Sequence, residues 1–209
     1  MTLVLRYAAR SDRGLVRANN EDSVYAGARL LALADGMGGH AAGEVASQLV
    51  IAALAHLDDD EPGGDLLDTL EEAMVAGNET IAEQVAEAFV LASNDRTWQT
   101  ERQQWVQRLQ QLATPGVVES VNVDQDWESD SQRRYVEAKA ETTTQIQQVQ
   151  AQTLTNDGQI EVEVEFVTET DSEDPWVSNP PVRKSLVLVV DPAQGMVVDQ
   201  LDMTPRGGL

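Results

Sequence analysis

The sequence contains no cysteine, so disulfides and thiolate metal sites are excluded. Basic residues are scarce, since 14 lysines and arginines stand against 36 aspartates and glutamates, and the formal net charge is -22. A charge of this sign opposes binding to nucleic acid or to an anionic membrane, so we expect neither partner. Aromatic residues make up only 4% of the chain, but a hydrophobic content of 42% is enough for a packed core.

Long apolar runs are also missing. The start of the chain, residues 1–13, lacks the apolar core of a signal peptide, and the apolar stretch at residues 49–57 is too short to cross a bilayer. Together with the lack of cysteine, these features predict a soluble protein of the cytoplasm.

The most informative segment is residues 17–40, in which an apolar run ends at an aspartate followed by a glycine. The run at residues 30–34 shows no alternation, which is typical of a strand buried on both faces. A carboxylate at the end of such a strand is a good ligand for a hard cation, and a glycine backbone can present its carbonyl to the same ion. Asp35 and Gly36 are therefore candidate ligands of Mg²⁺ or Mn²⁺.

Charged residues upstream suit the same chemistry. In a turn, the adjacent Glu21 and Asp22 could both hydrogen-bond metal-held water, and the guanidinium of Arg17 can bind two phosphate oxygens. Each residue alone also has a plainer interpretation, because an Asp-Gly pair is usually a turn and an exposed arginine or glutamate is usually surface. Their combination is what points to phosphate chemistry.

The combined pattern resembles the opening of the metal-dependent serine/threonine protein phosphatases of type 2C, and most closely their bacterial branch. The resemblance covers about residues 3–67 and rests on Arg10-Ser11-Asp12-Arg13-Gly14, Arg17, Asn20-Glu21-Asp22-Ser23, Ala34-Asp35-Gly36-Met37-Gly38-Gly39-His40 and Gly43-Glu44-Val45-Ala46-Ser47.

The resemblance implies specific roles. Asp35 would bridge two Mn²⁺ or Mg²⁺ ions, and the Gly36 carbonyl would bind one of them. Glu21 and Asp22 would position metal-bound waters, and Arg17 would hold the phosphate of a phosphoprotein substrate. The implied reaction is phosphomonoester hydrolysis by a metal-bound water.

The sequence also departs from the family. The later motifs Gly-Asp-Ser-Arg, Ser-Asp-Gly and a terminal Asp-Asn are absent. Because they carry the second set of metal ligands, we expect weak metal binding and little or no phosphatase activity. An incomplete family fold would also expose the apolar face of strand 30–34 unless something else covers it. Family members with a histidine directly after Asp-Gly use it as a candidate acid for the leaving oxygen. In this sequence that position is Met37, and His40 is not taken as a substitute for the histidine.

The second half of the sequence follows a different pattern. Residues 160–166 alternate apolar side chains with glutamates, which predicts an antiparallel strand with one wet face, and a turn at residues 156–158 predicts pairing with residues 142–154. The other predicted strands are at residues 3–10, 23–34, 186–190 and 196–201, and the predicted helices are at residues 44–57, 65–92 and 98–113. Gly77-Asn78 is a candidate interruption of the second helix, and residues 114–116 are predicted to end the third.

The expected fold class is α+β. A partial type 2C phosphatase-like strand-helix segment, residues 1–79, would be followed by helices and a curved, cone-like antiparallel sheet, residues 80–209. The second part is similar in element order to the nuclear-transport-factor-two-like fold over about residues 80–205. That similarity implies a binding or assembly module and a homodimer paired through the sheet.

Some features stay ambiguous at this level. The tryptophans at positions 98, 105, 127 and 176 could line a pocket, but aromatic residues at helical spacing are more often core. The acidic runs at residues 124–130 and 169–174 are typical of solvated loops, with calcium binding as the alternative. Three hypotheses remain: a type 2C phosphatase by descent, a non-enzymatic binding or assembly module built on the C-terminal part, and a recombined chain whose two patterns meet near residues 67–80.

Overall fold

The computed structural model describes residues 7–12, 20–36, 43–58, 65–124, 127–153 and 158–202. The chain divides into an N-terminal unit, Met1–Ile81, and a C-terminal unit, Ala82–Leu209. Within the described residues, no helix has the length and apolar character needed to span a bilayer.

The N-terminal unit is a short hairpin followed by helices. Its elements are β1 (Ser23–Ala26), β2 (Leu31–Ala34), α1 (Gly43–Ala55), the 3₁₀ helix η1 (His56–Asp58) and the beginning of α2 (Leu66–Asn94). The strands are antiparallel, and α1 packs on both of them. The helix predicted from residue 44 is confirmed. The single strand predicted over residues 23–34 is wrong, because the chain turns back at residues 27–30.

The strand β2 is buried less than its sequence predicts. Leu31 and Leu33 are 52% and 76% exposed, whereas the alanines between and after them are partly covered. The prediction of burial on both faces is therefore wrong, since the described part of the unit covers one face only. The expectation that an incomplete fold exposes this apolar face is confirmed.

Two further predictions concern the same unit. Of the strand expected at residues 3–10, residues 3–6 lie outside the described part and residues 7–10 form no strand. The helix α2 continues through Gly77-Asn78, so the candidate interruption is absent. A Cβ atom on Gly77 would lie 3.3 Å from the Cβ of Ala53 on α1, which is a close approach that favours glycine.

The C-terminal unit begins within α2 and contains three short helices and a five-stranded sheet. Its further elements are β3 (Arg96–Thr97), α3 (Arg102–Leu109), α4 (Pro115–Asp124), α5 (Asp130–Glu137), β4 (Glu141–Thr153), β5 (Ile160–Asp171), β6 (Asn179–Asp191), the 3₁₀ helix η2 (Pro192–Gln194) and β7 (Val197–Asp202). The sheet is an antiparallel meander in the order β3-β4-β5-β6-β7, and it is curled into a half-barrel. The fold class is α+β with a curved sheet, as predicted.

The central strand β5 follows the predicted alternation. Ile160, Val162, Val164 and Phe166 are buried, and the glutamates between them are partly exposed. In the register of the sheet Thr153 lies opposite Ile160, so the predicted pairing of β4 with β5 is confirmed. The turn predicted at residues 156–158 falls mostly outside the described residues.

The helices of this unit are less well predicted. The expected change to strands after residue 116 is wrong, because Pro115 begins α4 and a fifth helix follows it. Proline is well suited to the first turn of a helix, where its missing N–H has no partner to lose. The side chain of Ser129 caps α5 by accepting the backbone N–H of Gln132 at 3.1 Å.

The core of the C-terminal unit lies on the buried face of the sheet. Its fully buried large side chains are Trp105, Phe89, Leu109, Ile160, Leu188, Val90, Val162, Val164, Val190 and Val198. Trp105 belongs to α3 and meets Trp127 edge-on at 5.4 Å between ring centroids. Trp98 lies before α3 and is half-exposed, and Trp176 is 94% exposed, so the four tryptophans do not share one pocket.

Candidate functional site

The hairpin brings together the two segments that carry the predicted metal ligands. Ser23 at the start of β1 pairs with Ala34 at the end of β2. Asp22 and Asp35 extend these strands by one residue each, so they leave the same end of the hairpin. The backbone N–H of Gly36 donates to Oδ1 of Asp22 at 3.3 Å. Antiparallel pairing alone therefore places Asp22 beside the Asp35-Gly36 pair.

Glycine is required at position 36 by this close approach. A Cβ atom there would lie 2.7 Å from the carbonyl carbon of Glu21 and would overlap its carbonyl oxygen. Real Cβ atoms do not come this close to a backbone, so any larger residue would push the two segments apart. The Asp-Gly pair is thus more than an ordinary turn, because it fits against the backbone of Glu21.

A buried serine fixes the same backbone. Ser47 on α1 is only 3% exposed, and its Oγ donates to the carbonyl of Glu21 at 2.6 Å and lies 2.9 Å from Oγ of Ser23. Ser47 belongs to the quoted resemblance but was not among the predicted site residues. Apolar periodicity could not have identified it, because Ser47 lies on the side of the helix opposite the predicted apolar positions Val45 and Leu49. Its place in the quoted resemblance was the available signal.

Asp58 organises the other end of the hairpin. Its carboxylate accepts the backbone N–H groups of Ala28, Arg29 and Leu30 at 2.7, 2.6 and 2.7 Å. The hydroxyl of Tyr25 donates to it at 3.3 Å. The hydrogen bond from the Arg29 amide is the largest cause that lowers the pKa of Asp58, and burial opposes the shift only in part.

The fit of the hairpin end to a metal ion is incomplete. Across residues 7–12, 20–36, 43–58, 65–124, 127–153 and 158–202, no three histidine, aspartate or glutamate side chains converge where an ion could be held. The described parts of the acidic runs at residues 124–130 and 169–174 also contain no such group of side chains. Asp35 is exposed and Gly36 is buried against Glu21, so the described residues supply only the beginning of a ligand set.

One predicted site residue, Arg17, lies outside the described residues, so its predicted role of holding the substrate phosphate stays a prediction. His40, which was not taken as a site residue, also lies outside them. The structure brings Glu21, Asp22, Asp35 and Gly36 to one end of the hairpin, and their metal roles stay predictions.

The N-terminal segment is similar in sequence to a type 2C serine/threonine phosphatase. This relative is the serine/threonine protein phosphatase PstP of Mycobacterium tuberculosis, from strains CDC 1551 / Oshkosh and ATCC 25618 / H37Rv, and the two sequences are 88% identical over 85 residues. The match covers 41% of this chain, and the chain spans only 16% of the length of that relative. No family model matches the chain.

Solved structures with similarity to the chain include two kinds. The catalytic domain of PstP in complex with 2 manganese ions is 35% identical, with 93% of this chain and 80% of that chain covered and a TM-score of 0.39. An Ntf2-like protein involved in plasmid conjugation is 15% identical, with 63% of this chain and 52% of that chain covered and a TM-score of 0.37.

Proposed function

We propose that the N-terminal unit carries the first metal-binding segment of a metal-dependent phosphatase that hydrolyses phosphomonoesters of phosphoproteins. The observation that carries this proposal is the approach of Asp35-Gly36 to Glu21-Asp22 within a segment of near-identical phosphatase sequence. In this assignment Asp35 and the Gly36 carbonyl hold a divalent ion directly. Glu21 and Asp22 act through water.

Divalent ions supply two things in such chemistry, a water of lowered pKa and positive charge against the phosphate oxygens. The side chains of this chain would hold and orient these groups, with Arg17 on the substrate phosphate. One exposed aspartate and one carbonyl leave most positions around an ion to water. We therefore expect the chain by itself to bind Mn²⁺ weakly and to show no turnover above background.

The test combines binding with activity. Mn²⁺ binding is measured by water proton relaxation, and hydrolysis of an aryl phosphate is measured with and without millimolar Mn²⁺. Asp35→Asn should remove the weak Mn²⁺ site, whereas Asp68→Asn, an exposed change of the same chemistry on α2, should leave it intact. Binding that is unchanged in Asp35→Asn would contradict the ligand assignment. Metal-dependent turnover that is lost in Asp35→Asn would contradict the expected inactivity.

We also propose a second function, carried by the C-terminal unit, as a non-enzymatic binding or assembly module. It is supported by the continuous core of this unit, which includes Trp105, Phe89 and Leu188 at 2% exposure or less. A homodimer through the sheet, and a location in the cytoplasm, belong to the same proposal. Asp35→Asn should leave self-association unchanged in sedimentation velocity, and a shift in oligomeric state would count against a separate role for this unit.

A further inference from the structure

A polar cavity of about 250 Å³ opens at one end of the sheet in the C-terminal unit. Its walls come from β3, β4, β5 and β6. The pairs Thr168↔Val182 and Phe166↔Lys184 place Val182 and Lys184 on the same face of the sheet as the buried Phe166 and Thr168, although Val182 and Lys184 are themselves exposed. The apolar core of the sheet therefore ends where this cavity begins, and polar side chains take its place.

The charge of the cavity is opposite to that of the protein. Arg96 and Lys184 both line it, and its described lining residues include no acidic side chain, although the chain carries a formal charge of -22. Neither cation forms an ion pair with any residue in the described part of the chain. Desolvation lowers the pKa of both side chains, but Arg96 is the half-buried one and Lys184 is exposed, so an anion between them would offset a desolvation cost that falls mainly on Arg96.

The guanidinium of Arg96 is oriented by neighbouring side chains and still has N–H groups that donate no hydrogen bond. Its guanidinium carbon lies 5.0 Å from the ring centroid of Tyr135 and 5.7 Å from that of Trp127. Its Nη1 donates to Oε1 of Gln132 at 3.3 Å, and its backbone carbonyl accepts the Tyr135 hydroxyl at 2.8 Å. One of the five guanidinium N–H groups is thus used, and stacking orients the others before any ligand arrives.

Hydroxyl groups complete the lining. Oγ1 of Thr142 lies 2.9 Å from Oγ1 of Thr170 and 3.1 Å from the Tyr135 hydroxyl, which forms a chain of groups that can each donate or accept. The carbonyl end of α2 also reaches the cavity, but the carbonyl of Val90 there already accepts Nδ2 of Asn94 at 2.9 Å.

We propose that this cavity binds a phosphate oxyanion between Arg96 and Lys184. A tetrahedral anion accepts donors from several directions, which suits a planar guanidinium, a flexible ammonium and hydroxyls on separate strands. A carboxylate would be satisfied by the guanidinium alone. The phosphate can come from the free ion or from a monoester. The site lies within the C-terminal unit and does not depend on the phosphatase assignment of the N-terminal unit.

The test is an NMR titration of the ¹⁵N-labelled full chain with inorganic phosphate, against chloride at equal ionic strength. Amides of Thr168 and Lys184 should shift with phosphate and saturate. Lys184→Gln should weaken binding by roughly tenfold or more, because it removes one charge-assisted hydrogen bond. Arg183→Gln is the matched control, since Arg183 is the next residue on β6, is exposed and pairs with Glu165 on the other face. It should leave the affinity unchanged.

Arg96→Lys gives a second variant that keeps the charge and removes the planar fork, and it should also weaken binding. A parallel titration with phenyl phosphate distinguishes the sources, since tighter binding than free phosphate assigns the site to monoesters and weaker binding assigns it to the free ion. Equal shifts with chloride, equal affinities of Lys184→Gln and Arg183→Gln, or tighter binding of acetate than of phosphate would overturn the proposal.

Discussion

The two units differ in two features: the N-terminal unit contains the phosphatase-like sequence, and the C-terminal unit contains most of the buried apolar side chains. The N-terminal unit holds the phosphatase-like segment, yet among its described residues the buried apolar side chains are Ala73 and Ile81. In the C-terminal unit, a continuous core lies between the sheet and the helices. The phosphatase-like segment therefore buries few apolar side chains among its described residues.

The exposed leucines of β2 show why. A strand that is apolar on both faces needs two covering layers, and the described part of the N-terminal unit provides one. A two-stranded hairpin is marginal without such cover. Polar contacts compensate locally, because Asp58 holds the turn at one end and Ser47 holds the backbone at the other.

The largest expected effect contrasts the same change in the two units. Leu188→Ala should lower the free energy of unfolding by about 2–5 kcal/mol, because it opens a cavity at a fully buried site. Leu33→Ala, at a side chain that is 76% exposed, should stay within about 0.5 kcal/mol of the parent. Chemical denaturation followed by far-UV circular dichroism reports helices of both units. Comparable losses in the two variants would mean that β2 is covered after all.

A smaller, local effect is expected at the turn of the hairpin. Asp58→Asn removes the charge that three backbone N–H groups share, so the amide resonances of Ala28, Arg29 and Leu30 should move and broaden. The C-terminal unit should be unaffected. Asp68→Asn is the control, and movement of the three amides in that variant would show that the effect is not specific to the turn.

The same carboxylate gives the turn a pH dependence. Because hydrogen bonds lower the pKa of Asp58 in the folded protein, its contribution is present above the pKa of the unfolded chain. It is lost as the pH falls through the folded-state pKa. The three amide shifts should titrate together in the acid range, and this transition should be missing in Asp58→Asn. Titration with an upward-shifted midpoint would contradict the assigned hydrogen bonds.

Some of this structure could be predicted from the sequence, where one physical signal dominates. Alternation along residues 160–166 is enough to define β5. The combination of Asp35-Gly36 with Glu21-Asp22 pointed to phosphate chemistry, but the hairpin that brings these residues together was not predicted. The turn at residues 27–30 was missed because its stabilising partner, Asp58, is distant in sequence. The helices α4 and α5 were missed because Pro115 was taken as a helix end, whereas it begins the next helix.

The most direct measurement is hydrogen exchange of the full chain, resolved by residue. We predict that amides of β5 and β6 exchange through opening of the packed C-terminal unit and stay protected long after those of β1 and β2. Hairpin amides at Tyr25 and Leu33 that remain protected as long as those at Val162 and Val164 would contradict it. That result would mean that the phosphatase-like segment has a complete core of its own.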